Sequence, residues 1–266
     1  MTDSCAQEFI DFAETLADAA RPVIRRHFRT PITVDAKADN SPVTIADRDA
    51  EAAMRALITG KYPDHGILGE EFGTENAAAE FVWVLDPIDG TRSFITGRPI
   101  FGTLIALVSN GLPILGVIDQ AILGERWLGA AGRKTLFNGT PVQTRRCPDM
   151  AAAVLGTTSP DLFDADRALA FRRVSGQSSM TIYGGDCYGY AMLASGFTDL
   201  VLESGLKPYD FCALAPVIAG AGGLVTDWGG NQITIASTGD VLAVGDPALL
   251  TPALALLADP GEGRLK

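Results

Sequence analysis

The residues of this chain with spacing suited to chemistry are carboxylates. Asp86-Pro-Ile-Asp-Gly-Thr91 follows an apolar run, Phe81–Leu85; Gly69-Glu70-Glu71 lies upstream and Tyr209-Asp210 far downstream. A strand ending in Asp-x-x-Asp sets Asp86 and Asp89 at the carboxyl edge of a sheet, with Pro87 stiffening the turn between them. Oxygen-only ligands suit Mg²⁺, which takes near-octahedral geometry at roughly 2.0–2.1 Å and keeps several waters. Two such ions about 3.5–4 Å apart clamp an in-line phosphoryl transfer. Gly90 lets the backbone approach a phosphate, and a helix starting at Thr91 would turn free N–H groups toward its oxygens. The competing reading of these six residues is a polar loop with Asp and Gly as turn formers. Taken alone, the segment favours the loop and a bare Asp-x-x-Asp is weak evidence; the full run, with Gly-Glu-Glu before it, is far more specific.

Other chemistries are poorly supplied. Gly129-Ala-Ala-Gly-Arg-Lys-Thr135 has the wrong spacing for a phosphate-binding P-loop and reads as a strand-to-strand turn. Gly220-Ala-Gly-Gly223 is not a dinucleotide fingerprint, and it follows a helix pattern instead of a strand. No Gly-x-Ser-x-Gly is present. His27 and His65 lie far apart and read as surface or packing residues. The four cysteines, Cys5, Cys147, Cys187 and Cys212, form no zinc pattern and read as free thiols of a reducing compartment.

The elements that must position the carboxylates follow from periodicity. Ala6–Phe28 carries apolar residues at helical spacing, with a kink or break expected at Pro22. A second helix is expected over Thr44–Gly60, capped by Thr44 with Asp47 in its first turn. Phe81–Leu85 reads as a buried strand, Phe101–Val108 and Pro113–Ile118 as a hairpin, and Glu125–Ala130 and Lys134–Phe137 as further strands before an Asn138-Gly139 turn. Downstream, Ala151–Leu155, Thr198–Glu203 and Leu224–Thr226 read as strands. Asp164–Arg173, Cys187–Ala194 and Phe211–Ala221 read as helices. Helices and strands alternate in both halves, so the class is mixed α and β. The halves are taken as 1–140, with most candidate ligands, and 141–266, with Asp210 and the segments facing the leaving group, in one compact unit.

Composition narrows the partners. The 266 residues are 47% hydrophobic and 20% charged, which is a globular composition. Acidic residues outnumber basic ones 32 to 21, a net charge of −11. Such a surface repels phosphate backbones and anionic membranes, so neither nucleic acid nor membrane is an expected partner. The uncharged run from Pro99 to Ile118 is broken by Ser109, Asn110, Gly111 and Pro113, so it reads as two strands and a turn instead of a membrane span. The first residues lack a signal-peptide pattern, and a cytoplasmic location is expected.

With Lys37, Thr44-x-x-Asp47, Gly-Glu-Glu, Asp-Pro-Ile-Asp-Gly-Thr, Asp210 and Gly222-Gly223 in this order, the chain resembles the inositol monophosphatase superfamily of Mg²⁺-dependent, lithium-sensitive phosphatases. The resemblance covers nearly the whole chain. It implies a layered α-β-α-β-α sandwich, commonly dimeric. It implies that Glu70, Asp86 and the Ile88 carbonyl hold a first metal and that Asp86, Asp89 and Asp210 hold a second. Asp47 would assist a third through water, giving two or three Mg²⁺ per site. Asp89, Gly90 and Thr91 would bind phosphate, and Glu70 and Thr91 would activate the attacking water. Bland alternatives stand beside these roles. Glu70 could be a solvated loop acid, Asp47 could complement the helix dipole, and Asp210 could cap the helix after it. Tyr209 stands where the family usually has Trp.

The superfamily cleaves several small esters, among them inositol phosphates and histidinol phosphate, and the metal motif does not choose among them. Gly184-Gly-Asp-Cys-Tyr-Gly-Tyr-Ala191, Leu202-Glu-Ser-Gly-Leu-Lys-Pro-Tyr-Asp-Phe211 and Arg92 resemble the histidinol-phosphate phosphatase branch. That makes Arg92, Asp186, Glu203 and Asp210 the expected contacts to the leaving group. Asp186 and Glu203 could hold its cationic part by charge-assisted hydrogen bonds. Asp186 could instead cap the helix near Cys187. Tyr188 and Tyr190 are expected to pack, and Cys187 is given no chemistry. Inositol monophosphate is the alternative substrate. A metal or phosphate sensor without catalysis is a third reading, disfavoured by the intact carboxylate set.

Overall fold

The computed structural model describes residues 4–36 and 42–258. Lys37 therefore lies outside the described residues. The helices are α1 (Gln7–His27), α2 (Ile45–Lys61), α3 (Thr91–Ile95), α4 (Ala165–Ser175), α5 (Asp186–Ala194), α6 (Pro208–Phe211), α7 (Leu214–Gly220) and α8 (Leu250–Ala258). The first strands are β1 (Val34–Ala36), β2 (Pro42–Thr44), β3 (Gly66–Gly69), β4 (Gly73–Glu75), β5 (Phe81–Asp89), β6 (Gly102–Ser109), β7 (Leu112–Gln120), β8 (Glu125–Ala130), β9 (Leu136–Phe137) and β10 (Thr140–Pro141). Then come β11 (Val154–Thr157), β12 (Met180–Tyr183), β13 (Leu200–Glu203), β14 (Leu224–Asp227) and β15 (Val241–Val244).

An eight-stranded sheet runs β10-β9-β8-β7-β6-β5-β3-β4, and a five-stranded sheet runs β12-β11-β13-β15-β14. The first is antiparallel except for β3 beside β5. Three apolar cores stack these sheets with helices. On one face of the large sheet, α1 and α2 bury Ile10, Leu16, Ile24, Met54 and Ile58 against Trp83 and Leu85. Between the two sheets, α5 and α7 bury Tyr190, Leu193, Val217 and Ile218 against Val84, Trp127 and Val201. Beyond the small sheet, α4 and α8 bury Phe171, Val174 and Leu257 against Leu155 and Leu242. The order of layers is α-β-α-β-α, the mixed architecture expected.

Local departures have local causes. α1 continues through Pro22 without the break expected there. Ala20 and Ile24 on either side of Pro22 are fully buried, and that packing offsets the one backbone bond that proline removes. The single helix expected over Phe211–Ala221 is two, α6 and α7. Pro216 has no N–H to give the Cys212 carbonyl, so one continuous α-helix would lose a rung there. A 3₁₀ turn, Met150–Ala152, precedes β11 where a strand was expected from Ala151. The strand expected from Lys134 is only Leu136–Phe137. No described helix is long and apolar enough to cross a membrane.

Candidate active site

Two features of β5 bring the acids together. β3 and β5 run parallel with Gly69 opposite Leu85, so Glu70, the first residue past β3, comes out beside Asp86 of β5. The Glu70 N–H donates to the Leu85 carbonyl at 3.1 Å. β5 runs on to Asp89, past the end expected at Leu85, and carries a bulge against β6. Asp86 pairs with Leu104 and Asp89 with Gly102, three steps on one strand against two on the other. Side chains alternate along a strand, so residues three apart would face opposite ways. The extra residue restores a common face to Asp86 and Asp89. The Thr103 hydroxyl donates to the Pro87 carbonyl at 2.8 Å, and the Ile88 N–H donates to Asp86 Oδ1 at 3.0 Å, pinning the bulge.

Asp210 arrives from α6, which packs on β5 and β6. It is the third residue of that helix, and its Oδ2 accepts the Lys207 N–H at 2.6 Å. It thus braces its own helix instead of capping the one after it. Among the described residues, Asp86, Asp89 and Asp210 each offer a carboxylate oxygen, all within 4.8 Å of one another.

The loop after β5 is packed from two sides. Asp47 is fully buried, and its Oδ2 accepts the Thr44 N–H at 2.8 Å and the Thr44 hydroxyl at 2.5 Å. This capping arrangement leaves Oδ1 for Thr91, 3.4 Å away; the Thr91 hydroxyl also lies 3.2 Å from the Ile88 carbonyl. Asp47 therefore braces α2 and faces Thr91 at once. Gly90 has φ +89°, and a Cβ there would lie 2.6 Å from Asp186 Oδ2. Only glycine meets both demands.

Asp186 itself is held in an unusual backbone. After Gly184 and Gly185, it is the third consecutive residue with positive φ, at 45°. Its carboxylate accepts the Ser93 hydroxyl at 2.8 Å, so it does not cap α5, whose N-cap is Gly185. Glu203 is buried at the end of β13; its Oε1 accepts the Thr158 N–H at 2.6 Å, and its Oε2 has no hydrogen-bond partner among the described residues. A cavity of about 160 Å³ is bordered by Asp89, Asp186, Glu203 and Asp210. Arg92 is exposed and does not border it, though its charge, like that of Arg98, steadies the Asp186 carboxylate.

Burial and mutual repulsion leave these acids reluctant to ionise. Burial raises Asp86, reinforced by Glu70, Asp89 and Asp210; burial raises Asp89, reinforced by Asp186 and Asp210. Burial pushes Asp210 to about 7 against the Lys207 N–H that favours its charged form. Glu203 is likewise pushed by burial to about 7, and burial raises Asp47 and Asp186. Like charges so placed stay ionised together only around a cation. The donors are all oxygen, which fits a hard divalent ion such as Mg²⁺.

Some contributors were not singled out from the sequence. Glu51 on α2 is fully buried; its Oε2 accepts the Glu71 N–H at 2.8 Å and its Oε1 the Phe72 N–H at 3.2 Å. Arg55, one turn on, donates to Glu51 at 2.8 Å and to Glu75 at 2.9 Å. This pair holds the turn that carries Glu70, and a Cβ at Gly69 would intrude on the Glu51 carboxylate. The i, i+4 Glu–Arg spacing was the one signal available, and it is common on solvated helices. Ser93 and Thr158 gave no signal. His65 accepts the Trp83 indole N–H at 3.2 Å and stacks on Tyr62, a packing role.

A five-layer sandwich with a buried acidic cluster at the edge of its large sheet is the architecture of a phosphatase class. The chain belongs to the inositol monophosphatase family, whose sequence profile matches residues 6–258. It is 51% identical over 263 residues to the chloroplastic bifunctional phosphatase IMPL2 of Arabidopsis thaliana, covering 96% of this chain and 76% of that one. It is 36% identical over 236 residues to a histidinol-phosphatase of Chlorobaculum parvum, covering 88% and 91%. The solved structure of an inositol monophosphatase from Zymomonas mobilis superposes with a TM-score of 0.88 at 49% identity, covering 94% of this chain and 98% of that one. Members of the family generally use Mg²⁺.

Proposed function

We propose that the protein is a Mg²⁺-dependent phosphomonoesterase that hydrolyses L-histidinol phosphate to L-histidinol and phosphate. The observation that carries the choice of substrate is the pair of acids, the half-buried Asp186 and the buried Glu203, bordering one cavity with Asp89 and Asp210. Histidinol phosphate brings an ammonium and an imidazole beside its phosphate, and both can donate to those carboxylates. A polyol brings only hydroxyl groups and gains less. The histidinol-phosphatase of C. parvum supports this reading. Inositol monophosphate is the second reading, favoured by the name of the Z. mobilis protein.

In this reading Glu70, Asp86, Asp89, Asp210 and the Ile88 carbonyl hold the metal ions. Mg²⁺ held there would supply Lewis acidity toward the phosphate oxygens and would ease deprotonation of the attacking water. Thr91, set between Asp47 and the Ile88 carbonyl, orients the attacking water, and Glu70 accepts its proton. Gly90 and Thr91 present backbone to the phosphate. Attack in line with the leaving oxygen would form a P–O bond from the water and break the ester P–O bond, and the leaving oxygen would take up the proton that the water released to Glu70, departing as the alcohol. Asp186 and Glu203 hold the leaving group, and Arg92 acts from outside the cavity through its charge on Asp186. The same proposal covers a homodimer of compact subunits in the cytoplasm, each with halves 1–140 and 141–266, without nucleic-acid or membrane partners.

The test is phosphate release with Mg²⁺ from L-histidinol phosphate, inositol 1-phosphate, fructose 1,6-bisphosphate and adenosine 3′,5′-bisphosphate, compared by kcat/KM. A dominant rate on histidinol phosphate is expected. A dominant rate on inositol phosphate keeps the metal chemistry and overturns the roles given to Asp186 and Glu203.

A further inference from the structure

The start of α5 meets the end of β5 and the loop after it at three points. The Cys187 N–H donates to Asp89 Oδ2 at 2.5 Å. Asp186 packs so close over Gly90 that a Cβ there would lie 2.6 Å from its Oδ2, and the same oxygen accepts the Ser93 hydroxyl at 2.8 Å. We infer that Ser93 is a positioning residue for substrate choice: it fixes the Asp186 carboxylate beside the phosphate loop, so that the enzyme selects esters carrying a cation close to their phosphate. The inference rests on the phosphomonoesterase reading, with Asp186 facing the leaving group, and deepens it.

Three observations carry it. First, Asp186 is held by one oxygen and presents the other. Ser93 is buried, and its hydroxyl donates to Oδ2. Oδ1 makes no hydrogen bond among the described residues and, unlike Glu203 Oε2, keeps accessible surface. The residue borders the cavity shared with Asp89, Glu203 and Asp210. Its backbone, at φ 45° behind two glycines of positive φ, is one that a side-chain-bearing residue keeps only where its surroundings hold it. Secondly, Ser93 holds the carboxylate against a competing attraction. The charges of Arg98 and Arg92 act on Asp186, yet neither arginine forms an ion pair with it and neither borders that cavity. A carboxylate freed from Ser93 gains by turning toward them and out of the cavity. Thirdly, Ser93 is rigidly spaced from the reacting centre. It lies two residues from Thr91 on α3, and the Thr91 hydroxyl faces Asp47 and the Ile88 carbonyl. Between them and the core, the Phe94 N–H donates to the Gly90 carbonyl at 3.0 Å, and the Phe94 ring is buried against Phe28 and Phe101. One short helix anchored in the core therefore sets the distance from the phosphate to the acid that meets the cation.

The experiment measures kcat/KM with Mg²⁺ for L-histidinol phosphate and for p-nitrophenyl phosphate, which has no cation. Wild type, Ser93→Ala, Ser93→Thr, Asp186→Ala and the double variant Ser93→Ala with Asp186→Ala are compared through the ratio of the two values. Ser93→Cys, of similar size and a weak donor, replaces the alanine variant if that one does not fold. Ser93→Ala is expected to lower the ratio roughly tenfold, as for the loss of one hydrogen bond to a charged group, and mainly by raising KM for histidinol phosphate. Ser93→Thr keeps the hydroxyl and is expected to keep the ratio close to that of wild type. In the double variant the ratio should equal that of Asp186→Ala alone, because Ser93 acts only through Asp186. A ratio that Ser93→Ala leaves unmoved overturns the inference and leaves the substrate reading standing. So does a loss in the double variant that is the product of the two single losses, or an equal loss in Ser93→Thr and Ser93→Ala. The substrate reading fails separately: a wild type that prefers inositol 1-phosphate to histidinol phosphate overturns it, and this inference with it, before any variant is made.

Discussion

At the scale of the residue, Asp89 separates a metal ligand from a merely buried acid. Its Oδ2 accepts the Cys187 N–H at 2.5 Å, a bond that an asparagine oxygen can also accept. Burial and the charges of Asp186 and Asp210 hold its carboxyl up, so the charged form is a burden on the metal-free fold. Asp89→Asn is therefore expected to leave the metal-free melting temperature equal or higher. It is expected to lower kcat by more than about 100-fold, beyond the usual 10–100-fold cost of losing an outer-shell partner. Thermal scans and phosphate-release kinetics on the same preparation check both halves; near-wild-type turnover would exclude Asp89 as a ligand. Asp186 separates substrate from chemistry in the same way. Its carboxylate touches Ser93 and the Gly90 backbone region, and it borders the cavity next to the acidic triad. Asp186→Ala is expected to reduce kcat/KM for histidinol phosphate at least tenfold more than for p-nitrophenyl phosphate, which brings no cation. An equal loss on both esters would move Asp186 from recognition to support of the phosphate loop.

At the scale of the element, the site depends on how turns are braced. Glu51 and Arg55 form a buried ion pair on α2, and Glu51 also accepts two N–H groups from the turn after β3. Removing one partner of such a pair leaves a buried charge uncompensated, at a cost of about 3–5 kcal/mol. Glu51→Gln keeps an acceptor oxygen and loses the charge, so it tests positioning more gently. The expected outcome is a folded protein in which half-maximal activity needs roughly 10–100-fold more Mg²⁺. The shift should also appear as a weaker Mg²⁺-dependent rise in melting temperature. Unchanged Mg²⁺ dependence in both measurements would reduce the pair to a structural role. Neither this brace nor the β5 bulge was legible in the sequence. The bulge exists only because β6 pairs with β5 one residue short, and Glu51 meets Glu71 across 20 residues of chain. What was legible is local: the Thr44–Asp47 cap, the Asn138-Gly139 turn, and the order of types in Asp86–Thr91. Asp186 shows the limit of local reasoning. An acid at a helix start reads as a cap, but two preceding glycines with positive φ turn it toward Ser93 instead.

At the scale of the whole molecule, the acidic cluster ties the two sheets together and works against the fold that builds it. Asp86 and Asp89 come from the eight-stranded sheet, Asp210 from a helix between the layers, and Glu203 from the five-stranded sheet. Burial holds Asp210 and Glu203 at about 7, against roughly 4 for free carboxyls. A carboxyl with a raised pKa in the fold keeps its proton where the unfolded chain has lost it. Between about pH 4 and 7 the folded state thus binds more protons, and the stability these groups confer is lost as pH rises through that window. The metal-free protein is expected to melt at a lower temperature at pH 8 than at pH 5.5. A cation among the carboxylates reverses their preference, because it favours the charged form. Saturating Mg²⁺ should therefore raise the melting temperature most at pH 8 and flatten the pH profile. At 100 times its dissociation constant a ligand contributes about 2.7 kcal/mol. For a chain of this size that is a shift of roughly 5–10 °C. Scanning calorimetry at pH 5.5 and 8, with EDTA or with Mg²⁺, measures all four corners. An equal Mg²⁺ shift at both pH values would mean that the ion does not bind among Asp86, Asp89 and Asp210. No shift at either would mean that these carboxylates, brought within 4.8 Å of one another, hold their charge by some other means than a divalent cation.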